Sequence, residues 1–374
     1  MIKIPEHVQN LVPYKAGKPV SELLREKNIQ KVVKLASNEN PLGTSPKVIQ
    51  AIKDEMDQFN FHVYTDPKCY ELIKKVSGYF NVSENRIIPG AGSDTLIQYV
   101  LMTFTNEGDE VLTSEGTFIG WYVNVNKLNR KQKLVPLKNY AYNLDAILEA
   151  VDNNTKIVYL ANPNNPTGTM FNSDEFEKFM DNLPKNVLVV LDEAYTLFAG
   201  YYPGYPDGLS YNYPNLIVLR TFSKDFGMAS LRLGFAFGEP ELISAMFKVK
   251  MPFEPTYLAQ KGGMAAVEDL DFLLKTLEVN NTSLNRLKKT FDSLGLQYTN
   301  SVANFYLLIF ENEETAVKFD EMCLERGLIL RHVKSFGIPN GVRINSGTEE
   351  ETDFAISVIS EVYEIIKEKE TILN

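Results

Sequence analysis

Three short apolar runs stand out along the chain: Ile157-Val158-Tyr159-Leu160, Val187-Leu188-Val189-Val190-Leu191 and Leu216-Ile217-Val218-Leu219. Each is continuous rather than alternating, which predicts strands buried on both faces, as in a parallel sheet covered by helices. Elsewhere the apolar positions fall on one side only. Leu96, Ile97, Val100, Leu101 and Phe104 recur at helical spacing, as do Phe354, Val358, Val362 and Ile366 near the C-terminus. The second of these helices carries a start signal, Thr348 three residues before Glu351, the pattern of a capping box. Near residue 260 the alternation of apolar runs and helical segments gives way to a polar helical stretch around Leu284 to Leu294. Strands are predicted beyond it over residues 304–310, 328–331 and 342–345. Together the patterns predict an α/β protein, with a large domain built on a mostly parallel sheet flanked by helices and a smaller α+β domain.

Length supports the division, since 374 residues exceed the roughly 250–300 at which single cores stop growing. A net charge of −10 and a pI near 5.1 argue against the clustered basic surface that nucleic acid requires. No segment approaches ~18 uninterrupted apolar residues, so no membrane span is expected. Residues 1–7, Met-Ile-Lys-Ile-Pro-Glu-His, lack the basic start and apolar stretch of a signal peptide, and a cytoplasmic protein is expected. Cys69 and Cys323 lie far apart without a partner motif, which leaves no basis for a disulfide framework or a zinc site. His7, His62 and His332 are scattered, and no Gly-x-Ser-x-Gly elbow accompanies them, so a hydrolase triad is not indicated.

The candidate chemistry sits where the three runs end. The first runs into Asn164-Asn165-Pro166-Thr167-Gly168, the second into Asp192-Glu193-Ala194-Tyr195, and the third into Arg220-Thr221-Phe222-Ser223-Lys224, with Arg232 eight residues on. The intervals match the length of βα units, so the three ends converge on one edge of one sheet, the edge where open α/β sheets bind ligands. A lysine leaving a buried strand there, partly desolvated, loses its proton readily and suits Schiff-base chemistry with an aldehyde; Ser223 and Arg232 suit a phosphate. A Gly90-Ala91-Gly92-Ser93-Asp94 loop opens the helix that begins the one-sided pattern at Leu96. Alone, such a loop is an ordinary strand-to-helix turn. In the company of Ser223 and Arg232 it becomes a phosphate-binding helix N-terminus. Adjacent Asp192 and Glu193 could suggest a metal site, but one acid with one partner is the preferred reading.

These residues resemble a family: the pyridoxal-phosphate aminotransferases of the aspartate aminotransferase fold, fold type I, and among them most closely the histidinol-phosphate aminotransferases. The resemblance covers nearly the whole chain and rests on Ser37-Asn38-Glu39-Asn40-Pro41-Leu42-Gly43, the Gly90–Asp94 loop, the three strand ends, and Gly341-Val342-Arg343-Ile344. It implies pyridoxal 5'-phosphate as cofactor, with Lys224 as its covalent attachment point and catalytic base. Asp192 would pair with the protonated ring nitrogen, Asn165 and Tyr195 would hold the ring's phenolic oxygen, and Phe118 would stack on the ring. Gly92, Ser93, Asp94, Ser223 and Arg232 would hold the phosphate. Tyr64 would reach the phosphate of the neighbouring subunit in a homodimer, while Tyr14, Arg331 and Arg343 would bind substrate.

By the same resemblance an N-terminal arm, residues 1–44, joins the small domain, residues 45–260 form the large cofactor-binding domain, and residues 261–374 form the small C-terminal domain. Transfer of an amino group between histidinol phosphate and 2-oxoglutarate is the implied reaction, so the partners are a small amine donor and a 2-oxo acid. An aromatic amino acid aminotransferase and a phospho-amino-acid decarboxylase of the same fold are the alternatives. Departures from the family pattern are Phe118 where tyrosine is usual, Thr65 in place of proline, and Ser230 in place of glycine.

Overall fold

The computed structural model describes residues 2–11, 31–58 and 61–373, with side chains described through residue 368. Two sheets organise it. The larger contains β2 (Ile87–Gly90), β3 (Glu110–Ser114), β4 (Lys131–Val135), β5 (Thr155–Ala161), β6 (Leu188–Asp192), β7 (Leu216–Thr221) and β8 (Gly234–Phe237), in the order β2-β8-β7-β6-β5-β3-β4. β3 to β7 pair in parallel, and β8 runs antiparallel between β7 and β2. The three continuous runs are β5, β6 and β7, side by side at the centre. Every residue of β6 and β7 is buried, as a sheet covered on both faces requires. Their unbroken apolar character therefore reflects helices on each side, each fully buried aliphatic side chain contributing about 1.5–3 kcal/mol. Trp121 shows how that cover is seated. It lies on the helix Ile119–Lys127 and stacks on Tyr159 of β5, ring centroids 4.4 Å apart.

The smaller sheet has the order β12-β13-β10-β9, all antiparallel, formed by β9 (Gln297–Tyr298), β10 (Phe305–Ile309), β12 (Arg331–His332) and β13 (Gly341–Asn345). The helices Leu270–Leu294, Glu313–Glu325 and Glu349–Leu373 accompany it, with Leu287, Phe291, Phe319, Ile344 and Ile359 in a core of their own. The expected capping box is present: Thr348 Oγ1 accepts from the Glu351 amide at 3.2 Å, and Glu351 Oε2 from the Thr348 amide at 2.8 Å. One predicted strand divides. Residues 328–331 break at Leu330 because two partners compete for the segment: β11 (Leu328–Ile329) pairs in parallel with β1 (Val33–Lys34), while β12 pairs with β13. In the segment that follows β1, Asn38 bonds both to Asn345 of β13 and to Tyr195 beyond β6. The change of pattern near residue 260 falls within the helix Tyr257–Ala266. No helix among the described residues is long and apolar enough to cross a membrane.

Candidate active site

Residue registers set the convergence of strand ends. Ala161 of β5 is the partner of Asp192 of β6, and Asp192 that of Leu219 of β7, so the loops bearing Asn165, Tyr195 and Lys224 open from one edge. They bound a cavity of about 270 Å³ lined by Asn165, Asp192, Tyr195, Ser223, Lys224 and Arg232. Ser93 and Asp94, at the start of the helix Ser93–Phe104, and Phe118, capping the helix Ile119–Lys127, contribute a second wall. Arg331 and Arg343 of the small sheet close a third.

Lys224 Nζ donates to the Ser37 carbonyl at 3.1 Å. Burial brings its pKa down to about 8, and Arg343 and Arg232 add to the effect against Glu39. The lysine thus keeps a neutral amine available near physiological pH. Asp192 is buried at the end of β6, where its two carboxylate oxygens accept from Tyr159 Oη at 2.8 Å and from the Ala194 amide at 3.2 Å. Burial nevertheless pushes its carboxyl up to about 6, against both hydrogen bonds. No lysine, arginine or histidine among the described residues forms an ion pair with it. A cation placed against it would relieve that cost.

Glu193 goes elsewhere. Successive residues of an extended chain face opposite sides, and Glu193 accepts from Arg220 Nε at 3.0 Å and Nη2 at 2.8 Å on the far side of the sheet. The adjacent acids are therefore split between two sites, and no cluster of three metal-ligating side chains occurs among the described residues.

A compact anion cradle lies at the other end of the cavity. Arg232, in the left-handed region at φ +56°, reaches Ser223 Oγ with Nη1 at 3.3 Å. Gly92 caps the neighbouring helix at φ +86°, and a Cβ there would lie 2.4 Å from Arg232 Nη2. A Cβ on Gly234 would meet the Ser93 amide nitrogen at 2.9 Å. Two glycines thus let a guanidinium, a hydroxyl and a helix N-terminus approach one point, an arrangement suited to a phosphate. Asp94 stands beside it with its carboxyl raised by burial, although Arg232 draws it back.

Arg343 is buried and oriented from two sides: Nη1 donates to Asn165 Oδ1 at 2.5 Å and Nη2 to the Ala36 carbonyl at 2.7 Å. Tyr195 receives Asn165 Nδ2 at 3.3 Å. Tyr64 does not line the cavity of its own chain. It is 78% exposed and stacks on Phe253, centroids 4.3 Å apart, while Gln260 Nε2 donates to the neighbouring Thr65 Oγ1 at 3.1 Å. Tyr14 lies outside the described residues. Two contributors escaped the sequence reading: Tyr159, visible only as the one polar-tipped residue in its apolar run, and Asn38, whose motif was recognised without a role for its side chain.

A lowered amine, a buried carboxylate without an ion-pair partner among the described residues and an anion cradle in one cavity match the chemistry of an amine-handling, phosphate-anchored cofactor. Comparison with known proteins agrees. The family model for aminotransferase class I and II matches residues 30–359. Histidinol-phosphate aminotransferase 2 of Carboxydothermus hydrogenoformans is 38% identical over 361 residues, covering 96% of this chain and 99% of its own. Histidinol-phosphate aminotransferase 1 of Nitrosococcus oceani is 39% identical, covering 96% of both. The crystal structure of histidinol-phosphate aminotransferase from Sinorhizobium meliloti in complex with pyridoxal-5'-phosphate superposes with a TM-score of 0.89 at 25% identity, over 98% of this chain and 99% of that one. Matched along nearly its whole length in sequence and in fold, this chain belongs to the class I and II aminotransferases.

Proposed function

We propose that the protein is a pyridoxal-phosphate-dependent histidinol-phosphate aminotransferase, moving an amino group from histidinol phosphate to 2-oxoglutarate to give imidazole-acetol phosphate and glutamate. The observation that carries this reading is the opposition, within one cavity, of the Arg232–Ser223–Gly92 cradle and the two arginines of the small sheet, with Lys224 and Asp192 between. The donor set suits the cofactor: a phosphate fits the cradle, Asp192 fits a cationic ring nitrogen, and Asn165 and Tyr195 fit a phenolic oxygen. Phe118 keeps an aromatic face for the ring without a hydroxyl. When bound, pyridoxal phosphate supplies an aldehyde carbon for amine exchange and a conjugated ring that takes up electron density from the substrate's Cα.

The chain supplies the rest. Lys224, its amine held at the Ser37 carbonyl and its pKa lowered by burial, would be the attachment point for the cofactor and the general base for the substrate's Cα proton. Asp192 keeps the ring nitrogen protonated; a carboxylate in hydrogen-bond contact supports that proton by roughly 1–3 pKa units. Arg343 takes the α-carboxylate of glutamate, and Arg331 joins it on the phosphate of the larger substrate. Residues 45–260 would form the cofactor-binding domain, and the arm of residues 1–44 would join the small C-terminal domain of residues 261–374. Tyr64, exposed and braced in its own chain, reaches the phosphate of a second copy in a cytoplasmic homodimer, with Tyr14 contributing to the substrate side.

The test is spectroscopic and kinetic. Purified protein is expected to be yellow, to carry the cofactor on Lys224 after borohydride reduction, and to turn over histidinol phosphate faster than phenylalanine or tyrosine. Cofactor on another lysine would overturn the site assignment, and a preference for aromatic amino acids would replace the substrate.

A further inference from the structure

Asn38 is buried, 1% exposed, and holds the left-handed conformation at φ +55°. Both of its main-chain groups are tied to the small sheet: its amide donates to Asn345 Oδ1 at 2.9 Å, and its carbonyl accepts from Asn304 Nδ2 at 3.3 Å. Its side chain crosses to the large sheet, where Nδ2 donates to Tyr195 Oη at 2.8 Å. A second amide reaches the same oxygen from Asn165. The orientation of that amide follows from its other end, because Asn165 Oδ1 faces Arg343 Nη1, which only donates. A phenol oxygen accepts two hydrogen bonds and donates one. With both acceptor positions filled by amides, the Tyr195 proton is left to point into the cavity that Tyr195 lines.

We propose that Asn38 is a positioning residue that fixes the direction of the Tyr195 hydroxyl, committing its proton to the phenolic oxygen of the bound cofactor and tying that bond to the seating of the small sheet. The inference rests on the reading of Tyr195 given above. Amides donating into the phenol oxygen strengthen the bond its own proton makes. In accord with this, burial raises the Tyr195 pKa while Arg343 and then Asn38 draw it back. A stronger bond stabilises negative charge on the cofactor's phenolic oxygen, so the cofactor gives up its shared proton at lower pH.

The decisive substitution is Asn38→Gly, which removes the amide side chain, keeps both main-chain bonds and suits the positive φ. The pH midpoint of the bound cofactor's visible band would be titrated in wild-type holoenzyme, Asn38→Gly, Tyr195→Phe and the double variant. Asn38→Gly is expected to raise the midpoint by about 0.2–0.5 pH unit and Tyr195→Phe to raise it further. The double variant is expected to match Tyr195→Phe, because Asn38 acts only through the hydroxyl. A fall in the midpoint of Asn38→Gly would show that the amide had been taking the phenol proton, and would overturn the proposal. So would no shift, or a shift that persists in the Tyr195→Phe background. If Tyr195→Phe itself left the midpoint unmoved, the role of Tyr195 would fail first and separately.

Discussion

Arg331 and Arg343 are register partners on the antiparallel strands β12 and β13, so their guanidinium groups leave the same face of the small sheet side by side. Like charges directly opposite one another cost stability. The ring of Phe336 offsets part of that cost, with its centroid 5.9 Å from the Arg331 guanidinium carbon and 5.7 Å from that of Arg343. An anion meeting both would lower it further. Truncating Arg331 should then remove a charge-assisted contact of roughly 1.5–3 kcal/mol from the phosphate ester alone. The expected result for Arg331→Ala is a 10- to 150-fold lower kcat/KM for histidinol phosphate, with a smaller loss in the glutamate half-reaction. Equal losses on both substrates would mean that Arg331 serves only to order the sheet.

Lys224 should capture its cofactor with a pH dependence set by a pKa of about 8. Only the neutral amine attacks an aldehyde, so the rate rises with pH while the ammonium form dominates and levels off above that value. An unperturbed lysine would still gain about tenfold per pH unit at pH 9. Stopped-flow reconstitution of the apoprotein from pH 6.5 to 9.5 distinguishes the two curves. Arg343→Leu, which removes one of the charges depressing the lysine, should move the plateau to higher pH.

Asp192 carries opposite consequences for stability and turnover. Its folded pKa, about 6, lies above the ordinary aspartate value of 3.8, so the native apoprotein binds the proton more tightly than the unfolded chain. Stability is therefore lost as pH rises from about 4 through 6, by an amount on the order of 2–3 kcal/mol at most. Asp192→Asn should raise the melting temperature of the apoprotein at pH 7.5, with the gain vanishing toward pH 4. The same variant should lose about 10- to 1000-fold in single-turnover rate with cofactor bound, because the amide cannot balance a cationic ring nitrogen. A variant no more stable than wild type at pH 7.5 would show that burial of this carboxylate costs nothing.

The residues legible in the sequence were those at the ends of uninterrupted apolar runs. Strand positions and the rule that the carboxyl edge of such a sheet binds ligands were enough to bring Lys224, Asp192 and Asn165 to one edge, whereas the roles expected of Asp192 and Asn165 came from the family resemblance. Alternation along an extended chain explains why Glu193, next to Asp192, turns to Arg220 instead, although the sequence reading did not use it. What escaped was pairing between elements. That Tyr159 would reach Asp192 depends on β5 lying beside β6 in a particular register, and the amide of Asn38 meets a phenol 157 residues away. Periodicity within one element carries no information on either. Nor does it reveal that β8 runs antiparallel among parallel neighbours, or that β11 and β12 part company at Leu330 because β1 claims one half. Both depend on which strand arrives as neighbour.

Gly92 offers a test of the anion cradle with an internal control. Alanine at φ +86° would incur the strain of a left-handed backbone, about 1–2 kcal/mol, and would also place Cβ 2.4 Å from Arg232 Nη2. The arginine has a flexible end and would swing aside, loosening its grip on a phosphate by roughly the 1.5–3 kcal/mol of a charge-assisted bond. Gly108, in the turn before β3, has a comparable φ of +82° but nothing within 4 Å of its would-be Cβ. Gly108→Ala therefore incurs the same backbone cost with no neighbour to displace. Both variants should show similar falls in apoprotein melting temperature. Only Gly92→Ala should weaken pyridoxal phosphate, by about 10- to 150-fold in a dissociation constant measured by equilibrium dialysis. Equal affinities in the two variants would mean that the close approach of Gly92 to Arg232 does not serve the phosphate.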